Sequence, residues 1–220
     1  MIKKPKVISF DVDGTLVPTG FVDAVWLEGI PSLYAQKYKI SFEEAYQIVT
    51  QAYNEVGDHR IEWYYLDYWI KRFDLNTSKE ELFNRYRHKV KIYEDVEPVI
   101  NALRNNYKLI ICSNAEKDFI LFQLKSLLNQ FHHIFSATSD FKEVKKSREF
   151  YGRICELLKV EPEEVIHIGD HLIFDYINPR EIGINAILIN RNQHKVALRI
   201  HTIKNLKELL KLLDYLNCPI

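Results

Sequence analysis

Four short, nearly continuous apolar runs, at residues 7–10, 109–112, 165–168 and 186–189, constrain this chain more than any other feature. A strand buried on both faces reads as such a run, whereas a half-exposed strand alternates, so these four belong to a parallel sheet covered on each side. Segments of helical periodicity separate the last three runs, the pattern of right-handed crossovers in an open α/β sheet. Near the end, Asn205 is positioned to cap a helix in which Leu206, Leu209, Leu210, Leu213 and Leu216 form one apolar stripe facing the sheet.

Residues 17–91 break the alternation. Ser41 with Glu44 and Ser78 with Glu81 form two capping-box patterns, each opening a run of helical periodicity. Helices are predicted over 21–38, 42–56, 61–73 and 79–90. At 220 residues the chain has about one and a half times the length of an average domain. The fold class is therefore α/β: an open parallel-sheet core of residues 1–16 and 92–220, with an α-helical cap of residues 17–91. An insertion at the carboxyl end of a strand lies where open sheets bind ligands, so the cap is expected to cover the site.

The 30 Lys and Arg balance the 30 Asp and Glu with no long like-charge block, which argues against a nucleic-acid partner. No apolar stretch reaches membrane-spanning length and no signal-like segment opens the chain, so no membrane partner is expected. Cys112, Cys155 and Cys218 are odd in number and lack C-x-x-C spacing, which suits a reducing compartment. A cytoplasmic protein, monomer or homodimer, is expected.

Three of the four runs end in polar residues: Asp11-Val12-Asp13-Gly14-Thr15, Ser113-Asn114, and Gly169-Asp170 followed by Asp175. In an open parallel sheet these ends converge on one edge. Carboxylates gathered there repel one another unless a cation sits between them, and all-oxygen donors without His or Cys favour a hard ion, Mg²⁺ rather than Ca²⁺. Gly14 permits a tight turn, and the Thr15 hydroxyl is placed to orient its neighbours.

The run Phe10-Asp11-Val12-Asp13-Gly14-Thr15-Leu16 resembles the first motif of the haloacid dehalogenase superfamily. Ile111-Cys112-Ser113-Asn114 resembles the second, and Ile168-Gly169-Asp170 through Asp175 the fourth. The resemblance implies a Rossmann-like core and a helical cap placed after the first motif. The third motif departs from the pattern: the stretch is Lys145-Lys146-Ser147-Arg148-Glu149, without the family's prolines. Counting back from Val160 places the motif's lysine on Lys145, with Lys146 the alternative.

The resemblance further implies a Mg²⁺-dependent, phosphoglycolate-phosphatase-like hydrolase acting on a small phosphorylated metabolite through an aspartyl-phosphate intermediate. Asp11 would be the nucleophile and Asp13 the acid and base. Metal would be held by Asp11, the Asp13 carbonyl and Asp170, supported by Asp175 and Thr15. Ser113, Asn114 and Lys145 would hold the phosphoryl oxygens. Asp13 favours phosphoryl transfer over dehalogenation, which needs no acid for its leaving group. A sugar phosphomutase, a haloacid dehalogenase and a non-catalytic binding module stay open. Substrate choice is assigned to the cap, where residues 62–69 are rich in aromatics and Arg60 and Lys71 offer positive charge. His167 reads as a hydrogen-bonded core imidazole.

Overall fold

The computed structural model describes residues 4–192, 200 and 202–217, and side chains within them up to Asp214. Six strands form one sheet: β1 (Val7–Phe10), β2 (Lys108–Ser113), β3 (His133–Ser136), β4 (Val165–Gly169), β5 (Asn185–Ile189) and β6 (Thr202–Ile203). Their order is β3-β2-β1-β4-β5-β6, and every pairing is parallel. Four of them match the apolar runs. β3 carries only Ile134 and Phe135 as apolar residues and lies at an edge, half covered, so it has no need of a continuous run. β6 has two residues, too few to show a pattern.

Alternation along the strands sends Ile8, Phe10, Leu109, Ile111, Ile166 and Ile168 to one face, against the helices Val96–Leu103 and Lys207–Asn217. Val7, Ile110, Cys112 and Val165 face the other side, against Phe150, Tyr151, Ile154 and Cys155 of helix Arg148–Leu158. Each large aliphatic side chain so buried contributes on the order of 1.5–3 kcal/mol. The final helix buries Leu206, Leu209 and Leu213; the side chain of Leu216 lies outside the described residues. Its first amide is not capped by Asn205. The Leu206 N–H donates to the Asp95 carboxylate, which Arg191 holds, and the buried Asn205 Oδ1 has no partner among the described residues.

The segment between β1 and β2 is helical, as its capping residues predict. Helix Phe42–Val56 starts at Ser41, whose hydroxyl accepts the Glu44 N–H, and helix Lys79–Arg85 starts at a reciprocal box between Ser78 and Glu81. The first helical run, Gly20–Asp23 to Ile30–Tyr38, passes through a π-helical turn at Ala24–Gly29. The fourth expected helix ends earlier, with a separate 3₁₀ turn at Arg87–Lys89.

These helices enclose an aromatic core and rest on helix Lys117–Gln123, just beyond β2. Phe21 stacks on Phe122 at 5.2 Å, and Phe83 packs on Phe119 at 4.6 Å. Lys79 adds an ionic clasp, pairing with Asp67 on its own side and with Glu116 and Asp118 across the junction. Among the described residues no helix is long and apolar enough to cross a membrane.

Candidate active site

Registry sets the site. Phe10 pairs with Ile111 on one side and Ile168 on the other, so β1, β2 and β4 end together and deliver Asp11, Ser113 and Gly169-Asp170 to one edge. Beyond Asp11 the chain folds tightly on itself, with the Val12 carbonyl accepting the N–H groups of Thr15, Leu16 and Val17. Gly14 turns through φ +76°, and a Cβ there would strike the Asp170 carboxylate. The glycine is what lets the β4 end approach this loop. Asp13 is half-buried, and its carboxylate accepts a 3.1 Å hydrogen bond from Gln123 Nε2.

The structure departs from the expectation for Thr15. Its hydroxyl is buried with no hydrogen-bond partner among the described residues, while its carbonyl is engaged by the Arg191 guanidinium. With its N–H on the Val12 carbonyl as well, Thr15 braces the loop through its backbone instead of orienting the carboxylates.

The lysine at the site is Lys146, not Lys145. Ser147 caps helix Arg148–Leu158 by accepting the Phe150 N–H, and the residue just before this cap turns into the sheet edge. Lys146 is 1% exposed, and its ammonium donates to Asp11 Oδ1 at 2.6 Å, Asp175 Oδ1 at 2.5 Å and the Cys112 carbonyl at 3.1 Å. Lys145 faces outward, pairing with Asp58 of the inserted helices at 2.8 Å. Counting from the helix end alone missed this. The signal was available in Ser147, an N-cap residue directly after the lysine pair.

Asp175 belongs to the lysine. Besides Lys146 it accepts the His171 N–H and contacts His167 Nε2 at 2.9 Å. Burial alone would raise its pKa, but Lys146 and His167 outweigh this and hold the carboxyl well below the usual range. An ionised Asp175 requires a donor at His167 Nε2, which leaves Nδ1 to accept from the Ser9 hydroxyl at 2.8 Å. His167 is thus a buried, bonded imidazole, as expected from the sequence. Gly169 keeps this arrangement compact, since a Cβ there would collide with the Asp175 carboxyl carbon.

Asn114 spends its side-chain carbonyl on the Lys146 N–H at 2.7 Å, tying the end of β2 to the lysine loop. Ser113 Oγ accepts the Ala115 N–H, leaving its own O–H available as a donor. Asp11, Asp13, Ser113, Asn114, Lys146, Asp170 and Asp175 all line one cavity of about 460 Å³, roofed by the inserted helices.

Three of its carboxyl groups are strained toward protonation. Burial pushes Asp13 up to about 6, against the opposing Gln123 bond. Burial together with the Asp175 charge pushes Asp170 to about 6. Burial raises Asp11 well above its ordinary value despite Lys146. Carboxylate oxygens of Asp11, Asp170 and Asp175 lie within 4.8 Å of one another, a donor set suited to a hard divalent cation. Asp175 has its oxygens engaged by protein donors, so Asp11 and Asp170 are the carboxylates with capacity to spare.

A family model described as haloacid dehalogenase-like hydrolase matches residues 5–177. A solved structure of a HAD phosphatase from Thermococcus onnurineus superposes with a TM-score of 0.83 at 30% identity, covering 94% of this chain and 97% of that one. Among curated proteins, the GMP/IMP nucleotidase YrfG of Escherichia coli is 24% identical over 165 residues, 74% of this chain and 73% of that protein. A glyceraldehyde 3-phosphate phosphatase of Pyrococcus furiosus is 24% identical over 198 residues, 84% of this chain and 81% of its own length.

Proposed function

The chain belongs to the haloacid dehalogenase-like hydrolases, and from that premise we propose that it is a Mg²⁺-dependent phosphatase of a small phosphate monoester. The observation that carries the reading is the pair Asp11 and Asp13 held in contrasting environments in one cavity. Asp11 is 7% exposed and ion-paired to Lys146, while Asp13 is half-buried and, among the described residues, held by the neutral Gln123 amide with no ion pair. Two carboxyls with separated environments are what a nucleophile and a general acid require. The names of the similar nucleotidase and sugar-phosphate phosphatase support the same substrate class.

In this reading Asp11 attacks phosphorus in line with the leaving oxygen. Asp13, protonated, donates its proton to the departing alkoxide as the P–O bond breaks, leaving phosphate on Asp11. Asp13 then takes a proton from water, whose oxygen attacks phosphorus; phosphate leaves and Asp11 is regenerated. The Ser113 hydroxyl and the Asn114 main-chain amide would donate to the phosphoryl oxygens. Lys146 holds the charge and orientation of Asp11, and Asp175 fixes Lys146 in turn. Bound at the Asp11 and Asp170 carboxylates and the Asp13 carbonyl, Mg²⁺ would neutralise charge on the phosphoryl group. The buried, unpaired thiols of Cys112 and Cys155 suit a cytoplasmic setting.

Hydrolysis of 4-nitrophenyl phosphate tests the proposal. Phosphate release should require Mg²⁺ and be abolished in Asp11→Asn. Metal-independent turnover, or full activity in Asp11→Asn, would sink it.

A further inference from the structure

The part of the cavity wall that the inserted helices supply is built unlike the carboxylate-lined sheet edge. Trp26 and Trp63 lie with their rings nearly parallel, 19° apart with centroids at 6.4 Å, and Trp26 is similarly aligned with Phe119 at 5.8 Å and 15°. Tyr53 meets Trp26 edge-on, and Tyr64 meets Trp63 edge-on. The two tyrosine hydroxyls are already spent on backbone carbonyls, Tyr53 on that of Trp26 and Tyr64 on that of Asp58. These residues therefore present ring surface and no free hydroxyl. The π-helical turn at Ala24–Gly29 carries Trp26 and Leu27 to this wall.

Charge is as one-sided as shape. Among the described residues that line the cavity Lys146 is the sole lysine or arginine, and its ammonium is committed to Asp11, Asp175 and the Cys112 carbonyl. Arg60 is paired with Glu62, and neither it nor Lys71 lines the cavity. Two further carboxylates line the cavity: Asp23, which accepts from the Thr19 hydroxyl, and Glu116, which is paired with Lys79. Among the lining residues a leaving group with a carboxylate or second phosphate would meet no uncommitted lysine or arginine, whereas an uncharged flat ring would meet flat aromatic surface.

Resting on the phosphatase reading, we propose that this cavity selects phosphate monoesters whose leaving group carries a planar, uncharged ring, an aryl group or a nucleobase, and rejects those bearing a second anion. Trp26 and Trp63 are the specificity-determining residues. The test compares primary alkyl esters, so that leaving-group chemistry stays similar: benzyl phosphate, uridine 5′-monophosphate, ribose 5-phosphate and 2-phosphoglycolate, each with the Mg²⁺-loaded enzyme.

Benzyl phosphate or uridine 5′-monophosphate should exceed ribose 5-phosphate and 2-phosphoglycolate at least tenfold in kcat/KM. A preference for the nucleotide over benzyl phosphate identifies the ring as a nucleobase, and the reverse identifies it as aryl. Trp63→Ala should erase the advantage of the ring-bearing esters over ribose 5-phosphate, and Leu27→Lys at the rim should raise activity on 2-phosphoglycolate. Equal turnover of all four esters overturns the selectivity and leaves the phosphatase reading intact. Absence of turnover on all four and on 4-nitrophenyl phosphate overturns both.

Discussion

Lys146 shows how a single residue carries the chemistry of its surroundings. Its charge sits among Asp11, Asp175 and a carbonyl at 1% exposure, an arrangement in which removal of one partner leaves buried charges uncompensated. Lys146→Ala should cost roughly 3–5 kcal/mol in urea unfolding and lower kcat by about 10²–10³-fold on any ester the enzyme accepts. Lys145→Ala removes an outward-facing pair with Asp58 and should change stability by less than about 1 kcal/mol, with activity near that of the parent. The opposite ranking would place the wrong lysine at the site. Asp13→Asn keeps the size of the side chain but removes the proton that the proposed mechanism has it exchange, so kcat should fall about 10²–10⁴-fold while product phosphate still binds, measured by inhibition or calorimetry. Asp11 and Ser113 were legible in the sequence because each directly follows an apolar run, and Asp13 and Asp170 because each lies within three residues of one. Lys146 stood only as the alternative to Lys145, because a lysine pair in an irregular segment has no periodicity to rank its members and the signal lies in the cap at Ser147.

At the scale of elements, legibility followed burial and capping. Runs buried on both faces and Ser-led helices were readable because a local pattern records each of them. β3 and β6 were not, because an edge strand and a two-residue strand are held by their neighbours and not by their own composition. The π turn at Ala24–Gly29 leaves no mark in residue type, yet it shapes the pocket wall. Helix Arg148–Leu158 links structure to site most directly. Its cap, Ser147, both satisfies the Phe150 amide and fixes the backbone next to Lys146. Ser147→Ala should cost about 1 kcal/mol, seen as a fall of about 2–4 °C in Tm, and should lower kcat more than KM rises, since Lys146 loses its anchor while the cavity wall is unchanged. A cap variant that loses stability with kcat unaltered would show that the lysine is held by its ion pairs alone.

For the whole molecule, a net charge of zero conceals a strong local imbalance, and under the proposed function its expected consequence is a pH-dependent response to metal. Asp13 and Asp170, both pushed up to about 6, retain protons in the folded state at pH values where the unfolded chain has released them. Each such group stabilises the fold fully below the unfolded value near 3.9, and that contribution is lost as pH rises through about 6. His133, His167 and His171, lowered by burial, act oppositely: unfolding takes up protons as pH falls below about 6.5, so their effect favours the fold at higher pH. The two sets overlap, so the Tm of the metal-free protein is a poor reporter of either. The increment in Tm on adding Mg²⁺ is a better one, because the ion competes with protons on the carboxylates while the histidines are common to both measurements. At fixed Mg²⁺ the increment should be near zero at pH 5 and grow as pH rises through about 6, with Asp11, also raised by burial, adding to the rise. Over the rising part, each proton displaced adds about 1.4 kcal/mol per pH unit. Asp170→Asn should flatten the curve and shrink the increment, since it removes a charge that both repels its neighbours and attracts the ion. An increment independent of pH from 5 to 7.5 would mean that the cation binds away from these carboxylates.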